Sequence, residues 1–323
     1  MKCDLVAEGG GSKLPGLIGG MKALEDQGFE FVNMAGASAG AIVTSLKAAG
    51  YTAAELENII LPLEFKDFLD GNKFFTIYNW FVNQGIYKGD AFYHFMKDKL
   101  AEKNVSTFGD LICYKANGYA ETDYKWRWKL KVIVTDITRN EMVVLPDDAE
   151  KYGQNPDEVE VALAVRMSMS LPFFFRPVKA WDAWFIDGGA TSNFPIWLFD
   201  AKHIEEVTHP TFGILLDGGE YDKYNEIRGW WSYLKAILNT MLQAHDRKFI
   251  SPEDFEHRII KVPTGNIGTA DFNLPRAKKE WLVHSGYDAG RTFLDNWTWE
   301  KYLEWSKKKL EEKRGCPSTS FNR

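Results

Sequence analysis

Three short stretches hold residues whose types and spacing could make and break an ester bond. Gly36-Ala37-Ser38-Ala39-Gly40 sets one hydroxyl between two glycines. A serine hydroxyl is a weak nucleophile until it is held clear of its helix and offered a base. A sharp strand-to-helix turn holds it clear but crowds the backbone. Glycines at the flanks and alanines at the inner positions relieve that crowding. The apolar run 31–34 before the turn and Ala41-Ile42-Val43 after it supply the strand and helix it needs. A close helix–strand contact would account for the same five residues.

The second stretch is Gly9-Gly10-Gly11. Acyl transfer builds negative charge on the carbonyl oxygen, and fixed backbone N–H groups stabilise it. A glycine run lets bare backbone approach a substrate, and a helix starting near Leu14 adds the positive end of its dipole. Lys13 would add charge or lock the loop. A phosphate cradle fits poorly: a dinucleotide fingerprint beginning at Gly9 needs glycine where Leu14 stands, and no Gly-Lys-Ser/Thr closes the loop.

The third stretch is Asp187-Gly188-Gly189, whose carboxylate falls at the end of a predicted strand, where sites of open α/β sheets gather. The reading is that Asp187 takes the Ser38 proton directly, as general base. Because an ordinary aspartate is a weak base, the site must raise its basicity by partial desolvation. Asp217-Gly218-Gly219 repeats the triplet and reads as a strand-ending turn. The histidines (His94, His203, His209, His245, His257 and His284) leave open a triad of Ser38, Asp187 and one of the last three. Against it, triads of that order sit well into their sheet, whereas Ser38 follows the second predicted strand. No histidine pair has zinc-ligand spacing, so neither metal nor cofactor is expected.

The elements that must position these residues follow from periodicity. Strands are expected at 5–7, 31–34, 130–134, 184–186, 212–216 and 258–262, with 141–145 as the hairpin partner of 130–134. Helices are expected from Pro15 to a stop at Gly28, from the turn at Ser38 to about 47, and over 53–60, 90–102, 157–167, 230–243, 276–289 and 293–310. Strands alternating with helices imply an α/β fold with a central, mostly parallel sheet between helical layers. Residues 61–87 are rich in Phe and Trp and read either as a lid-like binding segment or as short packed helices.

Composition narrows the class. The chain has 323 residues, 45% hydrophobic and 26% charged, as expected of a globular protein. A formal net charge of −6 gives no reason to expect a nucleic-acid partner. The 22 Phe, 13 Tyr and 12 Trp imply a large aromatic core, or an apolar channel or membrane-touching surface. Cys3, Cys113 and Cys316 are scattered and odd in number, which favours a reducing compartment over a disulfide scaffold. No secretory signal or spanning segment is visible, so the expected location is cytoplasmic, with peripheral membrane contact or export without a cleavable signal left open. Trp297, Trp299 and Trp305 beside Lys307, Lys308 and Lys309 read as a helix packed on the body or as a lipid-facing patch.

Taken together, the glycine run, the elbow 27 residues beyond Gly11 and the late Asp-Gly-Gly resemble the patatin-like phospholipase family. Gly85-Ile86-Tyr87-Lys88-Gly89 is similar to the segment after that family's variable region. The run Arg166-Met167-Ser168-Met169-Ser170-Leu171-Pro172-Phe173-Phe174-Phe175 resembles its Ser/Pro/Phe block, and Asp187 to Pro195 its Asp-Gly-Gly segment. The match covers about 3–216 of a single catalytic domain, with a divergent helical part over about 220–315. One departure is Leu14-Pro15, where such loops commonly continue with glycine.

The resemblance implies a three-layer sandwich and a calcium-independent Ser-Asp dyad without histidine. It implies hydrolysis of carboxylic esters of phospholipids or other acyl lipids through an acyl-enzyme. Ser38 and Asp187 map to the dyad, Gly9, Gly10 and Gly11 to the oxyanion loop with Ala39 beside the nucleophile, and Lys13, Gly36, Gly40, Gly188 and Gly189 to supporting positions. Transfer of the acyl group to an alcohol, and a catalytically silent lipid-binding protein, are the rival readings. Head group, chain length and oligomeric state are not legible.

Overall fold

Four strands are buried along nearly their whole length: β1 (Lys2–Ala7), β2 (Glu30–Gly36), β4 (Leu130–Asp136) and β9 (Thr211–Asp217). Apolar residues on both faces of a strand require a sheet covered on both sides. The protein, seen in a computed structural model that describes residues 1–70, 84–113, 126–218, 250–315 and a few positions between 227 and 241, meets that requirement. Strands β5 (Glu141–Leu145), β7 (Val178–Ala180), β8 (Ala183–Asp187) and β10 (Ile259–Pro263) complete the sheet, in the order β10-β9-β1-β2-β4-β8-β7 with β5 also on β4. The run from β10 to β4 is parallel, while β5, β8 and β7 are antiparallel to their neighbours. Strands β3 (Gly85–Tyr87) and β6 (Phe173–Phe175) form a separate parallel ribbon.

Alternation sorts the two faces. Leu5, Met34, Ile214 and Val262 point to the main core, where they meet helices α1 (Leu14–Asp26), α2 (Ala39–Ala48) and α5 (Val161–Ser168). Val6, Ala35, Leu215 and Ile259 point the other way, onto Phe194, Ile196 and Phe199. Helices α3 (Ala53–Ile60) and α4 (Asp90–Ala101) extend the main core. The short α6 (Asp254–His257) precedes β10, and α7 (Arg276–Asn296) and α8 (Trp299–Gly315) close the chain. The fold is therefore α/β, with a mostly parallel central sheet flanked by helices, as the periodicity implies.

Two expectations need correction. The helix expected over 157–167 begins at Val161, because Val159 and Glu160 are extended and bond as a strand would: Phe108 N–H donates to Val159 O at 3.0 Å and Val161 N–H to Ser106 O at 2.9 Å. The helix expected over 293–310 is broken at Trp297. That ring turns inward against Phe29 and Phe212, and its Nε1 donates to His257 O at 3.0 Å. Trp305 is likewise buried, stacked on His257, so the tryptophan cluster packs on the body. Most of 230–243 lies outside the described residues.

One edge of β4 decides where the site forms. Gly36 of β2 pairs with Val132, and Asp187 of β8 pairs with Val134. Val132 and Val134 also pair with Leu145 and Val143 of β5, so β2 and β8 share the opposite edge of β4. They run toward each other along it and stop two residues apart, a gap of about 7 Å.

Helices α1 and α7 cross with their backbones nearly touching. A Cβ at Gly19 would lie 2.0 Å from Val283 O, and one at Gly286 would lie 2.1 Å from Gly16 O. Gly286→Ala gains about 1 kcal/mol of helix propensity, but the added methyl must force two helices apart. Overpacking outweighs propensity, and we predict a net loss of about 1–3 kcal/mol, seen as a lower urea midpoint by circular dichroism. A midpoint equal to or above wild type would show that the crossing has room.

Candidate active site

Ser38 occupies the gap between the two strands. It stands at the N-cap of α2 with φ 49° and ψ −120°, a left-handed conformation that costs a non-glycine residue about 1–3 kcal/mol. Surrounding contacts hold it there. Its N–H donates to Ser168 Oγ at 2.9 Å, and Ser168 Oγ donates to Ile133 O at 2.6 Å. The small flanking residues are required: a Cβ at Gly36 would lie 2.4 Å from the Gly40 carbonyl carbon, and one at Gly40 would lie 2.1 Å from Ala7 O.

Asp187 faces the same gap from the end of β8 and is 1% exposed. Its Oδ1 accepts the Gly189 N–H at 2.8 Å. The Ser38 hydroxyl is near enough to interact with the carboxylate, yet Oδ2 is buried without a formed hydrogen bond among the described residues. Burial pushes the Asp187 carboxyl up to about 7, against the downward pull of the Ser38 hydroxyl and the Gly189 amide. Gly188 has Ile133 O where a Cβ would be, at 2.0 Å, so a larger residue would push the carboxylate away from β4.

The glycine run leaves β1 and passes beside Ser38. Its three amides differ. The Gly9 N–H donates to Asn193 O at 2.9 Å, so it is already spent. The amides of Gly10, Gly11 and Ala39 have no hydrogen-bond partner among the described residues, and all three residues line the cleft with Ser38 and Asp187. Gly11 and Ala39 are the first residues of two helical turns, whose leading N–H groups have no intrahelical partner. Lys13 is buried, lies off the cleft lining, and donates its N–H to Gly10 O at 3.1 Å.

The cleft has an apolar wall. Phe65 and Phe68 come from the segment before residue 71, Phe92 and Phe95 from α4, and Phe175 from β6. Lys279 of α7 fixes the first of these by donating to the carbonyls of Leu61 and Leu63. Arg166 of α5 ties the ribbon down through the carbonyls of Lys88 and Arg176, and its own burial pushes the guanidinium down to about 10. The lid-like stretch 61–87 thus contributes wall at its start; residues 71–83 lie outside the described residues.

Four contributors escaped the sequence reading as site residues. Ser168 braces the elbow through the Ser38 N–H and the Ile133 carbonyl. Asn193 donates to Gly9 O at 3.0 Å and Glu8 Oε1 at 3.2 Å, while Glu8 Oε2 accepts the Leu216 N–H at 2.6 Å. Thr269 and Phe272 line the cleft from the C-terminal part, which carried no signal. The nearest available clue was the Asn-Phe-Pro sequel that Asp187 has and Asp217 lacks. Of the histidines, His245 lies outside the described residues, and none of the others lines the cleft. His209, for instance, contacts Asp4 at 3.0 Å. Among the described residues no acidic, histidine and cysteine cluster could hold a metal, and no helix is long and apolar enough to cross a membrane.

Comparisons with known proteins bear on the family and the fold. The chain is 36% identical to the uncharacterised protein YqhO of Bacillus subtilis over 310 residues, covering 93% of this chain and all of that one. It is 25% identical to the probable lipid hydrolase 463L of Invertebrate iridescent virus 6, over 84% of this chain and 87% of that protein. Its fold is similar to that of VipD from Legionella pneumophila, with a TM-score of 0.55 at 19% identity, over 91% of this chain and 66% of that longer one. The model of the patatin-like phospholipase family matches residues 5–200, and the chain belongs to that family.

Proposed function

We propose that this protein is a lipid acyl hydrolase of phospholipase A type working through Ser38 and Asp187. One observation carries the reading. A strained serine and a buried carboxyl raised to about 7 face each other beside three unpartnered amides, at the end of an apolar cleft. Family membership supports lipid hydrolysis in general.

The acyl chain lies along the aromatic wall and brings its carbonyl to Ser38. Asp187 takes the Ser38 proton as Oγ attacks the carbonyl carbon. The oxyanion is held by the N–H groups of Gly10, Gly11 and Ala39, with Gly9 shaping the turn. The alcohol or lysolipid leaves with the proton from Asp187. Water, deprotonated by Asp187, then releases the fatty acid. A carboxyl near 7 is half ionised at neutral pH, as a base without histidine must be. Added alcohol that captures the acyl group in preference to water would favour transfer over hydrolysis.

Ser38→Ala and Asp187→Asn should each lower kcat/KM for a p-nitrophenyl acyl ester by about a thousandfold or more, with the fold intact by circular dichroism. Wild-type activity in either rejects the dyad.

The pH dependence has a definite sign. Activity should rise with pH to a midpoint near 7, because the base works ionised; a flat profile from about pH 5 to 9 would contradict it. Stability should move the other way. The folded chain keeps the Asp187 proton up to about 7, while the unfolded chain loses it near pH 4. This contribution is fully present below about pH 4 and is lost as pH rises to about 7. Asp187→Asn removes the ionisation cost, so it should gain on wild type above about pH 7 by an amount of order a few kcal/mol, measured by urea unfolding. An equal difference at acid and alkaline pH would contradict the raised carboxyl.

Ser168→Ala strands the Ser38 N–H and the Ile133 carbonyl. It should cost about 1–3 kcal/mol of stability and lower kcat about tenfold or more with KM little changed. An unchanged kcat, measured well below melting, would show that the elbow holds without it.

A further inference from the structure

Part of the cleft wall, Thr269 and Phe272, comes from a stretch of chain that the family match, ending at residue 200, does not reach. Residues 264–275 form a loop between β10 and α7. Ile267 and Leu274 are buried together against Leu282 of α7 and anchor it. Between these anchors the loop closes on itself: Gly268 N–H donates to Asp271 Oδ2 at 2.8 Å, and Asp271 N–H to Gly268 O at 3.2 Å. The closed turn carries Phe272 to the cleft, where its ring meets Phe175 edge-on at 6.3 Å and Phe174 at 5.9 Å.

The same turn is latched to the glycine run. Ser12 N–H donates to Thr269 O at 3.0 Å, and Ser12 Oγ to Gly268 O at 2.8 Å. Gly11 is held so close that a Cβ there would lie 2.1 Å from Thr269 O. The loop that presents the aromatic ring is thus bonded to the residue next to the unpaired Gly11 amide.

We propose that Phe272 sets the length of acyl chain the cleft accepts, and that the Ser12 latch holds this gauge and the oxyanion turn in register. The proposal rests on reading the cleft as an acyl site. A phenyl ring is a rigid stop: methylenes gain by burial until they reach it and gain nothing beyond. Truncating it to a methyl extends the cleft. Ile267 and Leu274 anchor the loop independently of Ser12, so removing the latch frees the glycine turn and its amides while the stop keeps its place.

The test uses the full chain. Hydrolysis of p-nitrophenyl esters from butyrate to palmitate is measured for wild type, Phe272→Ala and Ser12→Ala. In Phe272→Ala the optimum should move to longer chains, with kcat/KM for the first ester past the wild-type optimum rising about tenfold relative to the optimum itself. In Ser12→Ala, kcat should fall about tenfold for every ester with the optimum in place. A second readout is independent of hydrolysis: saturated fatty acids from octanoate to stearate are titrated calorimetrically into Ser38→Ala, with and without Phe272→Ala. Affinity should rise about threefold to fourfold per carbon up to a break, and the break should come later without the ring. An optimum and break both unmoved in Phe272→Ala overturn the gauge, and wild-type kcat in Ser12→Ala overturns the latch. A break that moves in a protein hydrolysing no ester upholds the gauge and rejects the hydrolase reading instead.

Discussion

Two strands run head-on along one edge of β4 and stop two residues short of meeting, and the rest of the site follows from that gap. A sheet edge between two strand ends leaves ladder groups without partners, and buried backbone groups need them. Here the exposed carbonyl is that of Ile133, and a side chain from α5 satisfies it: Ser168 Oγ donates to Ile133 O and accepts the Ser38 N–H. The serine that seals the ladder therefore also clamps the elbow. At its positive φ, Ser38 turns the chain from β2, which ends at Gly36, into α2, which begins at Ala39. The closeness of Ser38 and Asp187, 149 positions apart in the chain, is a consequence of strand register.

Electrostatics then turns proximity into reactivity. Asp187 is buried beside an apolar cleft, so in the proposed reading one cause, exclusion of water, serves both the carboxylate and the acyl chain. Burial makes the carboxylate costly and hence basic. In the proposed mechanism it would also strengthen the pull of the unpaired amides on a developing oxyanion, since fixed dipoles act more strongly where water cannot screen them. Gly9 marks the division of labour within the turn. Its own amide is consumed by Asn193, and that bond, with the Asn193–Glu8–Leu216 contacts, holds the turn so that the next two amides remain unspent.

What was legible in the sequence was whatever depends on neighbours in the chain. Period and punctuation locate β1, α1, β2 and α2, and so the turn at Ser38. The antiparallel β4–β5 hairpin is equally local. Where tertiary contacts override local pattern, the reading shifts. Val159 and Glu160 have the composition of a helix start but bond to the 106–108 segment instead, and Trp297 breaks a helical run because the core offers its ring a pocket. The strands β6 and β7 are three residues each, between Pro172 and Pro177 and beyond, too short for any period to register. Asp187 and the two glycine motifs carry signals because their chemistry demands particular residue types. A bracing serine such as Ser168 demands only a hydroxyl in the right place.

The hardest residues to foresee are those of the 264–275 loop, and the reason is physical. A cleft wall needs bulk and an anchored backbone, which many sequences supply equally well. A catalytic dyad needs two particular groups, which few do. Motif reading therefore finds the proposed dyad and misses the cleft wall beside it. In this chain the two are covalently distant but bonded: Ser12, one residue past the glycine run, holds the loop that carries Phe272. Through that pair of hydrogen bonds the part of the chain beyond the family match touches the glycine run, so a stretch of cleft wall and the unpaired amides of the turn are held by the same contacts.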